Sequence, residues 1–182
     1  GKLRGRLDAH EYEQVDGDHF VSDSIATPVT NPNTVRMVLM LLCMNPKWVA
    51  VIVDVEGTFL QVQFENGEEL YIEVPDWFEK WYPKDVVLQM NVPMYGTKQA
   101  AYCFFKTFAK QVKNKKYQQS KADPCLYYVW IGTELVVMVA WVDDVMVLGT
   151  WELVDKVQRD LESAFTCKHE GELSEYVGSK IT

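Results

Sequence analysis

Two apolar, β-branched runs lie end to end, with only two residues between them, and both of those residues are acidic. Val139-Ala140-Trp141-Val142 leads into Asp143-Asp144, and Val145-Met146-Val147-Leu148 follows at once. A gap that short suits two antiparallel strands joined by a tight turn. A third acid behaves similarly: Asp54 ends the run Trp48-Val49-Ala50-Val51-Ile52-Val53. A carboxylate in apolar surroundings is costly, and two adjacent ones repel. Two readings stand. In one, Asp143-Asp144 is a solvated hairpin turn and Asp54 a strand terminator. In the other, carboxylates converging from neighbouring strand ends are neutralised by divalent cations. Oxygen-only ligation suits Mg²⁺, which binds one or two carboxylates and keeps several waters.

The remaining pattern places these strands in an α+β domain on a mostly antiparallel sheet with helices packed on one face. Pro28 and Pro32 exclude a continuous helix over the turn-rich stretch before Val35. Val35 to Met44 then reads as a short, mostly buried helix opened by Asn33 or Thr34. Phe59 to Phe64 alternates, Asn66-Gly67 supplies a turn, and Leu70 to Val74 returns, which predicts a hairpin. Val86 to Val92 is a further strand. Ala101, Phe104, Phe105, Phe108 and Val112 recur at helical spacing, with Lys106, Lys110 and Lys113 on the opposite face. Strands follow at Cys125 to Ile131, Leu135 to Val142 and Val145 to Gly149. Thr150 then caps a helix carrying Val154, Val157, Leu161 and Phe165 on one side, with Glu152–Lys156 and Asp155–Arg159 as outward i,i+4 pairs.

Composition narrows the function classes. The 182 residues are 48% hydrophobic and 24% charged, within the range of globular chains. The net charge of −8 argues against a general nucleic-acid coat. One local reversal exists: Lys98, Lys106, Lys110, Lys113, Lys115, Lys116 and Lys121 follow one another with no acid between. Such a run is either a solvated helix face or a phosphate-contacting patch. The longest apolar run, Leu135 to Val142, is far short of the roughly 18 residues of a membrane span. No export signal opens the chain, and four scattered cysteines without a C-x-x-C pair suit reduced thiols. The expectation is an intracellular protein, cytoplasmic or nuclear. His10, His19 and His169 show no partner pattern.

Seven segments, in order, resemble the reverse transcriptases of copia-type LTR retrotransposons. Asp54-Val55-Glu56-Gly57-Thr58-Phe59-Leu60 is similar to their D-V-K-x-A-F-L segment, and Trp141-Val142-Asp143-Asp144 to their Y-V-D-D box. Leu70 to Phe78 resembles I-Y-M-x-x-P-x-G-F. Tyr95-Gly96-Thr97-Lys98-Gln99-Ala100-Ala101 resembles Y-G-L-K-Q-A-P, and Lys121 to Tyr127 resembles S-x-x-D-P-C-L-Y. Arg4 to Gln14 is similar to K-A-R-L-V-A-K-G-F-x-Q, and Tyr176 to Ile181 to the closing F-L-G-I-x-I strand.

The resemblance implies the fingers and palm of a right-hand polymerase. Fingers would span about 1–47 and 62–97 and the palm 48–61 and 98–182, with thumb and ribonuclease H absent. It assigns Asp54, Asp143 and Asp144 to catalysis and to the metal, Mg²⁺ or Mn²⁺, in a two-metal nucleotidyl transfer. Phe59 would lie under the incoming sugar, or else pack as an ordinary strand residue. Gly96 and Lys98 would line the nucleotide, and Arg4 and Arg6 would grip its triphosphate. Lys106, Lys110 and Lys113 would meet nucleic acid. The implied partners are an RNA or DNA template–primer and dNTPs.

Several positions depart from the family pattern. Glu56 stands where Lys is common, Thr58 replaces a small Ala, His10 and Glu11 alter the first motif, and Ala101 replaces Pro. Two functions follow. One is an RNA-directed DNA polymerase core, favoured by the intact acidic set. The other is a catalytically inactive retroelement-derived protein, a structural or interaction subunit with protein partners in a larger assembly. The acidic charge and the altered residues favour the second.

Overall fold

In a computed structural model of the chain, the runs on either side of Asp143-Asp144 form the middle of a six-stranded sheet. The structure describes residues 8–10, 14–20, 25–64, 67–75, 78–83, 85–173, 175–176 and 179–180. The chain divides into two compact units, residues 28–58 with 105–182 and residues 1–27 with 59–104.

The larger unit holds the sheet. Its strands are β1 (Val49–Val55) and, after β2 (Leu70–Glu73) and β3 (Val87–Met90) of the smaller unit, β4 (Gln118–Gln119), β5 (Leu126–Ile131), β6 (Glu134–Trp141), β7 (Asp144–Gly149) and β8 (Cys167–Glu172). Their spatial order is β4-β5-β6-β7-β1-β8, and every neighbouring pair is antiparallel. β1 and β7 are buried almost throughout, on both faces, which is why they read as continuous apolar runs with no alternation. Helices cover both faces rather than the single face expected, because strands buried on both sides need cover on both, and helix α1 (Pro32–Met44) takes the first. Its Val38 packs with Ala50, Ile52, Val137, Val139, Met146 and Leu148. The other face carries the row Tyr127, Met138, Val147 and Val51, which are cross-strand partners. Phe108 of helix α2 (Ala100–Asn114) meets the Tyr127 ring edge-on at 5.6 Å and stacks on Phe165 at 5.9 Å. Helix α3 (Trp151–Glu162) buries Val154, Val157 and Leu161 there. Two short strands, β9 (Glu175–Tyr176) and β10 (Ser179–Lys180), pair with each other.

Helix α1 is less buried than expected, since Met37, Met40 and Met44 stay exposed and Val38 alone is fully buried, and three further local readings change. Helix α1 begins at Pro32, earlier than expected, because proline is tolerated in a first helical turn and Asn31 caps it, accepting from the Asn33 N–H at 2.9 Å. Thr150 occupies the N-cap of α3 without a side-chain cap, its hydroxyl donating instead to Glu134 at 3.3 Å. Lys156 pairs with Asp160, one turn onward, while the Asp155–Arg159 pair forms as expected.

Two buried polar groups fix the approach to α1. Thr30 donates to the Ala140 carbonyl at 2.7 Å, and Asp123 accepts from the backbone N–H groups of Asn31 at 3.0 Å and Cys125 at 2.9 Å.

In the smaller unit, β2 (Leu70–Glu73) pairs antiparallel with β3 (Val87–Met90), Leu70 facing Met90 and Ile72 facing Leu88. The hairpin expected between 59–64 and 70–74 does not form. Gly57 adopts φ +59°, and the Thr58 hydroxyl donates to the Val55 carbonyl. The chain therefore winds into a 3₁₀ turn over Thr58–Gln61 as soon as β1 ends. No helix among the described residues is long and apolar enough to cross a membrane.

Candidate active site

Hairpin register determines where the acids stand. Trp141 and Asp144 are the last partners of β6 and β7, leaving Val142 and Asp143 as a two-residue turn. Val142 sits at φ +52°, a left-handed conformation that a tight hairpin demands and that a β-branched side chain resists by about 1–2 kcal/mol. Both ends of the turn are held: Asp144 by its place in the ladder, and Asp143 by its carbonyl, which accepts from the Val55 N–H at 2.9 Å. On β1, Asp54 lies directly opposite Asp144. Side chains at opposed positions project from the same face, their β-carbons typically about 4.5–5.5 Å apart, and like charges there destabilise the sheet. All three acids are half-buried.

β1 has a second neighbour. Across β8, Asp54 is opposed by Lys168 and Val55 by Cys167. The Cys167 thiol is pushed up to about 11, by burial first and then by the charges of Glu162 and Asp54. Sequence reasoning missed Lys168 because the β8 segment Cys-Lys-His-Glu-Gly-Glu is polar and lacks the alternation that marks a strand. Such composition is usual on a sheet edge.

Among the described residues, no three His, Cys, Asp or Glu side chains are arranged to hold a metal ion. The sheet thus presents a carboxylate pair, Asp54 and Asp144, with Asp143 in the adjoining turn. A set of one or two carboxylates completed by water and substrate phosphate is the one Mg²⁺ favours, so the residues present fit such an ion.

The other candidate residues lie elsewhere in the chain. In the smaller unit, Phe59 packs against Tyr95 with ring centroids 4.7 Å apart. Gly96, at φ +84°, gives passage to the Ala9 backbone, whose N–H donates to the Tyr95 carbonyl at 2.7 Å. Lys98 donates its backbone N–H to Gln14 at 2.8 Å and sets its ammonium 4.4 Å from the Phe20 ring centroid. Buried Gln99 bridges Gln14 and His19. An open cleft of about 730 Å³, not foreseen from the sequence, is bordered in this unit by Asp8, His10, His19, Tyr71 and Glu73. Arg4 and Arg6 lie outside the described residues. In the larger unit, Lys106, Lys110 and Lys113 are exposed along one side of α2.

The family described as reverse transcriptase (RNA-dependent DNA polymerase) matches residues 1–182, the whole chain. The chain belongs to this reverse transcriptase family. It is 30% identical over 182 residues to the retrovirus-related Pol polyprotein from transposon TNT 1-94 of Nicotiana tabacum, covering 99% of the chain and 13% of that protein. It is also 25% and 24% identical, each over 178 residues, to the Pol polyproteins from transposons RE2 and RE1 of Arabidopsis thaliana. Each of those alignments covers 97% of the chain and 12% of the relative. These relatives are copia-type elements, and the reverse transcriptase chain spans about an eighth of their length. No solved structure matches it. The two segments with Asp54 and Asp143-Asp144, far apart in this reverse transcriptase sequence, meet as neighbours in one sheet.

Proposed function

We propose that the chain is the RNA-directed DNA polymerase core of a copia-type element, acting inside the cell, in cytoplasm or nucleus. It would extend a primer on an RNA or DNA template with dNTPs. The observation that carries this reading is the cross-strand opposition of Asp54 and Asp144, beside a turn whose backbone is bonded to β1. In this reading residues of about 48–61 and 98–182 are the palm, and those of about 1–47 and 62–97 the fingers.

Asp54, Asp143 and Asp144 would hold two divalent cations, Mg²⁺ or Mn²⁺. When bound, these neutralise phosphate charge and favour ionisation of the attacking hydroxyl. The chain's own part is positional. The ladder fixes the carboxylates before substrate arrives, so little reorganisation accompanies the reaction. Val142, held left-handed, keeps the turn tight and the two acids that follow it at the sheet end. Phe59, Gly96 and Lys98, with Arg4 and Arg6, would serve the nucleotide, and Lys106, Lys110 and Lys113 the template–primer.

A primer-extension assay with the 182-residue chain tests this. Metal-dependent addition of one or a few nucleotides is expected, and Asp54→Asn, Asp143→Asn or Asp144→Asn should each cut it by at least about a hundredfold. Extension that survives all three changes refutes the assignment. Glu56, exposed and two residues beyond Asp54 where the resembled D-V-K-x-A-F-L segment has Lys, favours a second reading as an inactive assembly subunit. A folded chain with no extension in either metal would select it.

A further inference from the structure

We infer that Lys168 is the resident counter-cation of the Asp54–Asp144 pair and sets how tightly that pair takes a divalent ion. The inference rests on the metal-site reading above and adds to it a residue outside every motif of the acidic set.

Asp54 is the middle member of a cross-strand row, Asp144 on β7 to one side and Lys168 on β8 to the other. Directly opposed residues share a face of the sheet. The neighbouring residue fixes which face Lys168 takes. His169 bonds to Glu162 at 2.6 Å and to Gln158 at 2.9 Å, both on α3, so it faces the α3 side. Alternation along a strand then turns Lys168 to the opposite side, that of Asp54 and Asp144. The register between β1 and β8 shifts at Ile52/Val53 but is regular from Val53 to Val55, so the row is intact where it matters.

Two opposed carboxylates alone would repel across the ladder. A tethered ammonium beside them offsets that repulsion when no metal is bound, and it repels any divalent cation that comes to the same pair. Lys168 therefore trades stability of the empty site against metal affinity. Removing one positive charge roughly 6 Å from a divalent ion, in water-like dielectric and physiological salt, should tighten its binding about three- to tenfold.

The experiment titrates Mn²⁺ alone, without nucleotide or primer, by electron paramagnetic resonance of the free ion. Lys168→Met keeps most of the stem and removes the charge; Lys168→Arg keeps the charge. The expected result is a dissociation constant three- to tenfold lower for Lys168→Met and close to wild type for Lys168→Arg, with a lower metal-free melting temperature for Lys168→Met only. Asp54→Asn should remove the tight site in both the wild-type and Lys168→Met backgrounds. If Asp54→Asn weakens binding but Lys168→Met leaves it unchanged, the metal site stands and the counter-cation role is overturned. If Asp54→Asn changes nothing, the metal reading itself falls, and this inference with it. Should Lys168→Met fail to fold, Lys168→Gln replaces it in the same titration, with the same expectation.

Discussion

Replacing Gly96 by alanine isolates a single steric conflict inside the smaller unit. The added methyl carbon would overlap the Ala9 carbonyl oxygen and lie 2.9 Å from its carbon, inside any permitted contact. The conflict is with backbone, so no side-chain rotation relieves it. Two costs combine. A non-glycine residue held at φ +84° pays the left-handed penalty of about 1–2 kcal/mol. Pushing Ala9 aside breaks its N–H bond to Tyr95 and strands both groups, at about 1–3 kcal/mol. The sum is about 2–5 kcal/mol before any loss of the Phe59–Tyr95 ring contact. Gly132 is the internal control: its φ is +62° and nothing lies within 4 Å of an added methyl, so Gly132→Ala should show the left-handed penalty alone. Urea unfolding followed by near-ultraviolet circular dichroism, with free energies extrapolated to water, compares the two. Equal losses from Gly96→Ala and Gly132→Ala would refute the steric reasoning.

Asp123→Asn leaves one of two backbone donors facing an amide NH₂ in a site only 4% exposed, and should cost about 2–3 kcal/mol in the same unfolding measurement. Asp160 is held below the usual carboxylate range. Burial alone would raise it, but hydrogen bonds from Lys156 and Tyr117 and the charges of Lys156 and Lys115 outweigh that. Its contribution is present above the unfolded value of about 4 and lost as pH falls through the folded one, so Asp160→Asn should flatten the acid side of a stability–pH curve. Tyr117 is pushed up by burial and by its bond to Asp160; its contribution is complete below about pH 10 and lost above, and Tyr117→Phe should remove that alkaline loss. Changing Lys106, Lys110 and Lys113 together to Glu should abolish low-salt binding of an oligonucleotide duplex in fluorescence anisotropy; unchanged binding would mark the row as a solvated helix face.

What could be read in advance follows from how strongly each residue is constrained. Asp54 and Asp143-Asp144 were legible because charges inside β-branched runs have few tolerable positions, and a two-residue gap admits little but a tight turn. The apolar stripe of α3 was legible too, since Val154, Val157 and Leu161 need a common surface. The 59–74 hairpin misled because alternation over six residues arises readily, and it carried less weight than one hydrogen bond. With Gly57 left-handed and Thr58 bonded back to Val55, the chain could not extend there. Lys168 was invisible for the opposite reason: an edge strand such as β8 takes its shape from its neighbour and needs no hydrophobic pattern of its own.

The sheet order also bears on how the protein is made. β1 is the first strand of its sheet to leave the ribosome, yet both of its neighbours, β7 and β8, come from the far end of the chain. Until those segments emerge, Val49–Val55 is a sticky, unpaired apolar strand, exposed to mispairing while residues 56–143 are made. Closing so long a loop makes for slow, topology-limited folding. A transcript truncated anywhere before Asp144 would therefore yield a chain that lacks the site and also displays an open sheet edge. Chaperones and proteases would clear such a product, so a coding sequence broken between β1 and β7 would leave little of this domain behind.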